Sequence, residues 1–223
     1  RSYIKWGYKF IKKLNGMFSF VIWDPRTKKI LVGRDRYGIK PLYYYQDHET
    51  LIVSSEIKPI KLIKENLKIS CKTIDEYFTF QNIFSDNTFY EKINELAPGN
   101  FLIIDNNGFK RRNKYWDFHF ESFNSVLNIN KIDIIDLLTK SIELQSDTTE
   151  RIGCHLSAGI DSSLIASILA EKKGSLSTFT AGFEENKNLK TDFFNEIKYS
   201  ERLSRKLKSK HFNVIIKPED IFK

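Results

Sequence analysis

Leu156-Ser157-Ala158-Gly159-Ile160-Asp161-Ser162-Ser163 joins a short apolar run at 151–156 to a segment that places Leu164, Ile165, Ile168 and Leu169 on one helical face. A strand feeding a small, hydroxyl-rich loop that opens a helix suits an anion. Backbone N–H groups can turn toward it, the helix start adds partial positive charge, and small side chains let oxygens approach closely. Asp161 fits such a place if it serves a cation, and Mg2+ is commonly shared between a carboxylate and phosphate oxygens. The competing reading is a tight strand-to-helix turn in which Ser or Asp accepts N–H bonds at the helix start.

Around this loop the second half of the chain alternates. Residues 131–143 carry Ile132, Ile135, Leu138 and Ile142 at helical spacing, and the loop and its helix lead to a strand at 177–183. A polar insert at 184–192, a helix at 193–208 and a strand at 212–216 follow. This alternation argues for a parallel sheet wound with helices. Pro218-Glu219-Asp220 reads as the opening of another helix, and a sheet of so few strands leaves an apolar face open, so the chain is expected to be part of a longer one.

The first half has a different texture. β-rich runs at 17–23 and 29–34 flank the turn Asp24-Pro25-Arg26-Thr27-Lys28, and strands at 42–45 and 50–54 extend them into a meander or one layer of a sandwich. Residues 1–14 read as an amphipathic helix. A polar, basic connection at 58–72 leads to a helix at 73–80 with Ile74, Tyr77 and Phe78 inward. Pro98-Gly99 turns into a strand at 101–105, and Asn106-Asn107-Gly108 turns into one at 109–116. The aperiodic stretch at 117–130 is the expected boundary between domains at 1–122 and 131–223.

With 223 residues and 41% hydrophobic content the chain can build ordinary cores, and no run reaches the roughly 18 apolar residues of a membrane span. Residues 1–14 lack the core and cleavage site of a secretory signal, so a cytoplasmic location is the expectation. Cys71 and Cys154 have no metal-type spacing, and Cys154 reads as a small buried thiol. The net charge of +8 concentrates in part at 202–211, where Ile197, Ser200, Leu203 and Leu207 form an inward stripe. The Lys and Arg residues then face solvent. With no aromatics interleaved among them, a solvated helix surface is favoured over a nucleic-acid patch.

No Lys follows the second small residue, so the loop at 156–163 is not the common nucleoside triphosphatase loop. It resembles the Ser-Gly-Gly-x-Asp-Ser pyrophosphate loop of the ATP pyrophosphatases. Ala158 stands where that family has Gly, and its methyl group would restrict φ > 0 or crowd a phosphate oxygen. Three first-half segments resemble successive signatures of the class II glutamine amidotransferase domain of asparagine synthetases. They are Leu14-Asn15-Gly16-Met17-Phe18-Ser19-Phe20, Arg34-Asp35-Arg36-Tyr37-Gly38-Ile39-Lys40-Pro41-Leu42-Tyr43-Tyr44 and Ser54-Ser55-Glu56-Ile57-Lys58. Ala97-Pro98-Gly99 with Tyr115-Trp116-Asp117 resembles that domain's exit. Thr178-Phe179-Thr180-Ala181-Gly182-Phe183 with Asn195-Glu196-Ile197-Lys198-Tyr199-Ser200 resembles the synthetase domain beyond the loop.

The resemblance implies an α/β chain with an α+β first domain: part of an antiparallel, β-layered amidotransferase domain, then part of a doubly wound parallel α/β sheet of ATP-pyrophosphatase type. It implies an ATP- and Mg2+-dependent ligase that adenylates the side-chain carboxylate of aspartate and amidates it with ammonia from glutamine. Leu156, Ser157, Gly159, Ile160, Asp161, Ser162, Ser163 and Ala181 would then contact the nucleotide, with Ser157, Gly159, Ser162 and Ser163 cradling phosphate and Asp161 holding the metal. Glu196 matches the family's acidic position, although a helix-start charge explains it equally well. The partners implied are glutamine, aspartate and ATP, with no nucleic acid, no membrane and a homodimer left open.

The family's glutaminase nucleophile is an N-terminal Cys. Cys71 is internal and has no α-amino group to act as base, so no catalytic residue is assigned and the segment alone is expected to be inactive. Structural roles are favoured for Arg34, Asp35 and Arg36, as surface ion pairs bracing the hairpin. The readings in competition are a relative that amidates another carboxylate or closes a β-lactam ring, and a non-catalytic nucleotide-binding remnant. A tRNA-modifying pyrophosphate-loop enzyme predicts paired cysteines and no amidotransferase-like first half, the opposite of what this sequence carries.

Overall fold

The computed structural model describes residues 1–105, 108, 110–120, 131–147, 151–183, 196–217 and 219–220. The chain divides into two units, Arg1–Ser122 and Phe123–Lys223. The turn read at 106–107, the boundary stretch at 121–130, the insert at 184–192, the helix start at 193–195 and Pro218 lie outside the described residues.

In the first unit, β1 (Ser19–Asp24) and β2 (Lys29–Arg34) form an antiparallel hairpin with Ser19 opposite Arg34 and Asp24 opposite Lys29. Asp24 closes the turn by accepting from the Arg26 backbone and guanidinium, and that guanidinium holds its carboxyl well below the ordinary range. β3 (Tyr43–Gln46) and β4 (Leu51–Ser54) do not continue this sheet, contrary to the meander expected from the sequence. They join β5 (Ile93–Glu95) in a second sheet ordered β4-β3-β5. The later strands β6 (Asn100–Ile104) and β7 (Lys110–Lys114) complete the first, ordered β1-β2-β6-β7.

The split has a simple cause: β2 is apolar on both faces. Val32 packs with Leu102 and Ile104 of its own sheet and with Tyr44 and Leu96 from the side of the second. Its neighbour Leu31 points the other way, to Phe10, Ile11 and Tyr115. On the far face of the second sheet, Tyr45 and Ile93 pack on Ile60 of α2 (Ile57–Ile63). The order of layers is therefore N-terminal helical segment, sheet, sheet, helix. Tyr115, just past β7, braces the end of β2 in the same sheet, since its hydroxyl donates to the Arg34 carbonyl at 2.9 Å, and burial pushes its pKa up to about 12. Tyr115→Phe removes that buried bond and is expected to cost about 1–2 kcal/mol. A urea midpoint that does not move would show that the bond contributes nothing.

Several local expectations change. The helix read at 1–14 is broken: α1 (Ser2–Trp6) stops at Gly7, whose φ of 54° with ψ of −145° suits only glycine, and a 3-10 segment (Gly7–Lys13) continues. The connection read at 58–72 contains α2, whose apolar stripe is masked in sequence by three lysines. In α3 (Cys71–Phe80) the inward residue is Thr73, held by the Ser70 hydroxyl at the N-cap, whereas Phe78 is 80% exposed. Tyr77 is half-exposed and packs edge-on against Phe89 and its neighbour Phe78.

The second unit follows the alternation read from the sequence. Its elements are α4 (Lys131–Ser146), β8 (Gly153–His155), α5 (Ile160–Lys173), β9 (Ser177–Phe183), α6 (Ile197–Leu207) and β10 (Lys210–Ile216). The strands are parallel in the order β10-β9-β8, with Gly153 opposite Ser177 and Lys210 opposite Ser177 on the other side. On one side of this sheet, Cys154, Leu156, Ala166, Leu169 and Leu176 form a core with Ile142, Leu203 and Leu207. The inward face of α5 is thus centred on Ala166 and Leu169, and Ile165 turns to solvent; Ile135 of α4 is likewise exposed. Ser200 and Ser204 are buried on α6 while Arg202, Arg205 and Lys206 face outward, as the stripe predicts. Phe179 and Phe212 stack at 5.2 Å and, with Phe183 and Val214, remain partly exposed, an open apolar surface of the kind anticipated for so narrow a sheet. Among the described residues no helix is long and apolar enough to cross a membrane.

Candidate functional site

The loop leaves β8 through Leu156, which is 2% exposed and bonded through both of the peptide groups that flank it. Its N–H donates to the Phe179 carbonyl at 2.8 Å, and its carbonyl accepts from the Thr180 hydroxyl at 2.6 Å. The chain then turns over itself. Ser157 N–H donates to the Ser162 hydroxyl at 3.1 Å, the two hydroxyl oxygens lie 2.7 Å apart, and Gly159 N–H donates to the Ser157 hydroxyl at 3.1 Å. Ser163 donates its hydroxyl to the Gly159 carbonyl at 2.7 Å. Gly159 occupies the N-cap of α5 and brings no capping side chain, so the first-turn N–H groups face outward with no side-chain acceptor at the cap. The three serines therefore hold the loop closed, as the turn-capping alternative requires, while the helix start is left open, as the anion-site reading requires.

A cavity of about 210 Å3 opens beside the loop, at the carboxyl end of β8 and alongside the middle of β9. Leu156, Ser157, Ser162, Thr180 and Ala181 line it, and Glu196 closes one side. The remaining residues read from the sequence, Gly159, Ile160, Asp161 and Ser163, are not on its wall but at the adjoining helix start, where Gly159, Ile160 and Asp161 are exposed. Glu196 is also the N-cap residue of α6, its carbonyl accepting from the Ser200 N–H and hydroxyl. Ala158 is exposed and is not among the non-glycine residues with positive φ, so its methyl strains nothing in this conformation. Among the described residues no three His, Cys, Asp or Glu side chains come together as a metal cluster. Burial pushes the Cys154 thiol up, consistent with an inert core residue, whereas Cys71 is exposed in the first turn of α3.

The first-half motif proves to be structural, and buried. Asp35 is 1% exposed and accepts from the backbone N–H groups of Phe18, Tyr37, Ile39 and Lys40. Burial alone would raise its carboxyl, but those donors outweigh it and hold the group below the ordinary range. Arg34, 6% exposed, donates to the carbonyls of Gly38, Lys40 and Leu96 and pairs with Glu95 at 2.7 Å. Gly38 has φ of +66°, and a Cβ there would meet the Arg34 guanidinium carbon at 2.9 Å, so only glycine fits. These are not surface ion pairs; only Arg36, bonded to Asn15 and the Lys12 carbonyl, is at the surface as expected. Thr180 was not singled out in the sequence. Its signal was available: a hydroxyl on the buried face of an alternating strand must find a partner.

Two family descriptions cover the chain. Residues 1–116 match "Glutamine amidotransferase domain", and residues 133–223 match "Asparagine synthase". The chain belongs to the asparagine synthetase family. It is 27% identical over 208 residues to glutamine-hydrolyzing asparagine synthetase 1 of Bacillus subtilis, covering 93% of this chain and 32% of the relative. A putative glutamine-hydrolyzing asparagine synthetase 2 of Methanocaldococcus jannaschii is 29% identical over 227 residues, covering 99% of this chain and 42% of its own length. Amidase chyE of Penicillium rubens is 29% identical over 174 residues, covering 76% of this chain and 25% of its own length. The chain thus spans less than half the length of each of these relatives.

Proposed function

We propose that this chain carries the nucleotide-activating loop of an ATP-dependent amide ligase of the asparagine synthetase type. The observation that carries the proposal is the uncapped start of α5 beside a cavity at the carboxyl end of β8, the usual ligand position in open α/β sheets. The cavity falls below the roughly 300–1,000 Å3 of sites that enclose a whole small molecule, so it suits the nucleoside end. Leu156 and Ala181 would contact that end. The phosphates would lie along the exposed helix start beside Gly159, on the N–H groups of Ile160, Asp161 and Ser162 and the hydroxyls of Ser157, Ser162 and Ser163.

A carboxylate cannot be attacked directly by ammonia, because an oxide ion would have to leave. In the proposed reaction an aspartate side-chain oxygen bonds to the α-phosphorus, the bond to the bridging oxygen breaks, and pyrophosphate departs with the electron pair. Ammonia from glutamine then attacks the acyl carbon and AMP leaves. The loop's part is to hold charge on the departing pyrophosphate, the kind of term that usually dominates catalysis. Mg2+ fits the donor set: one exposed carboxylate, Asp161, stands at the helix start with no metal cluster among the described residues, and Mg2+ typically combines one or two carboxylates with phosphate oxygens. When bound it would act as a Lewis acid on the phosphates.

Isotope exchange between pyrophosphate and ATP in the full-length protein, run with and without aspartate, tests the proposal. Exchange that requires aspartate is the expected result, and none with any carboxylate would overturn it. Exchange with a different carboxylate would keep the loop and change the acceptor, a reading to which the amidase names among the relatives lend support.

A further inference from the structure

We infer that Thr180 is a positioning residue for the loop, acting through the Leu156–Ser157 peptide plane; the inference rests on the loop being a phosphate site. The β8–β9 ladder pairs Gly153 with Ser177, Cys154 with Thr178 and His155 with Phe179, and then stops. One further backbone bond, from Leu156 N–H to the Phe179 carbonyl, carries the pairing to the last buried residue of the strand. Beyond that the Leu156 carbonyl has no strand partner, because the chain turns away at Ser157. The Thr180 hydroxyl takes the place of the missing ladder donor, at 2.6 Å and away from solvent.

The consequence passes through covalent geometry. A peptide group is planar, so fixing the Leu156 carbonyl fixes the direction of the Ser157 N–H on the opposite side. That N–H donates to the Ser162 hydroxyl, which is coupled to the Ser157 hydroxyl, which accepts from Gly159 N–H. A buried strand hydroxyl thereby sets the orientation of the backbone that would face phosphate. Thr178 provides an internal contrast. It lies on the same buried face two residues earlier, but its hydroxyl bonds Ser209 and His211, on the side of β10 and not of the loop.

The test is affinity for ATP in the presence of Mg2+, measured by titration calorimetry on the whole protein with Thr180→Val, Thr180→Ser and Thr178→Val. Valine keeps the shape and deletes the hydroxyl. Thr180→Val is expected to weaken binding about tenfold, the scale of one lost buried hydrogen bond. Thr180→Ser should stay within about twofold of the wild type, because it keeps the donor. Thr178→Val should lose stability without losing affinity. Equal affinity in Thr180→Val and the wild type would overturn the inference, and so would an equal loss in Thr178→Val, which would make the effect one of general stability. If Thr180→Val does not fold, Thr180→Ala is compared with Thr180→Ser, and equal affinities again overturn it. A wild-type protein that binds no ATP would instead overturn the reading of the loop itself, and the inference with it.

Discussion

In the full-length protein, Asp161→Asn is expected to lower aspartate-dependent exchange of pyrophosphate into ATP by about 100-fold, equivalent to about 2.7 kcal/mol of lost transition-state stabilisation. Two readings of this residue make opposite forecasts. Asp161 sits in the first turn of α5, where a negative charge favours the helix by about 0.3–1 kcal/mol at an exposed site. If that were its whole role, the Asn variant would unfold slightly more easily and exchange at the normal rate. If Asp161 holds Mg2+ against the phosphates, exchange collapses, the Mg2+ concentration needed for ATP binding rises, and stability barely changes. The second outcome is favoured because the carboxylate is exposed and, among the described residues, engaged in no hydrogen bond or ion pair. Its removal therefore disturbs no such contact among the described residues. Unchanged exchange and an unchanged Mg2+ requirement would remove Asp161 from the metal role.

The loop could be read in sequence because its signals are local: small residues, a strand before it and an apolar helical face after it. What stayed hidden depends on distant partners. Thr180 acquires its role only from the register that sets β9 beside β8, placing its hydroxyl under the Leu156 carbonyl. Arg34 and Asp35 look like surface charges because charged residues usually are. Their burial follows from strands and turns up to 62 residues away that supply Leu96 and Glu95 as partners. The helix at α2 was masked because Lys58, Lys61 and Lys64 surround its one fully buried residue, Ile60. In α3 the opposite error arose, since aromatic residues at helical spacing imply a buried stripe, yet Phe78 and Phe80 stay exposed. The parallel order of the second unit was legible because alternating strands and helices leave few other connections. The division of the first unit into two sheets was not, since local alternation does not say which strands pair.

Asp35→Ala is expected to destabilise the first unit by about 3–5 kcal/mol, the largest stability effect of any substitution proposed. The carboxylate is the common acceptor for four backbone N–H groups, from Phe18, Tyr37, Ile39 and Lys40, and no neighbouring side chain can replace it without moving the turn. Each stranded donor costs about 1–3 kcal/mol when it stays buried. The sum is reduced because Tyr37, Ile39 and Lys40 lie near the surface and can regain water. Asp35→Asn separates charge from shape, since its amide oxygen can still accept while its NH2 group confronts N–H donors. It should fall between the wild type and Ala. The pH dependence carries the same sign. Because the native structure holds this carboxyl below its unfolded value, its contribution is present above the ordinary carboxyl range and is lost as pH falls through the lowered native value. The wild type should therefore lose stability on acidification in that window, and Asp35→Asn should lose less. Tryptophan fluorescence isolates the response, because the three tryptophans, Trp6, Trp23 and Trp116, all lie in the first unit. A urea midpoint for Asp35→Ala within about 0.5 kcal/mol of the wild type would mean that the turn at 35–40 is held by the Arg34 guanidinium and its carbonyl partners instead.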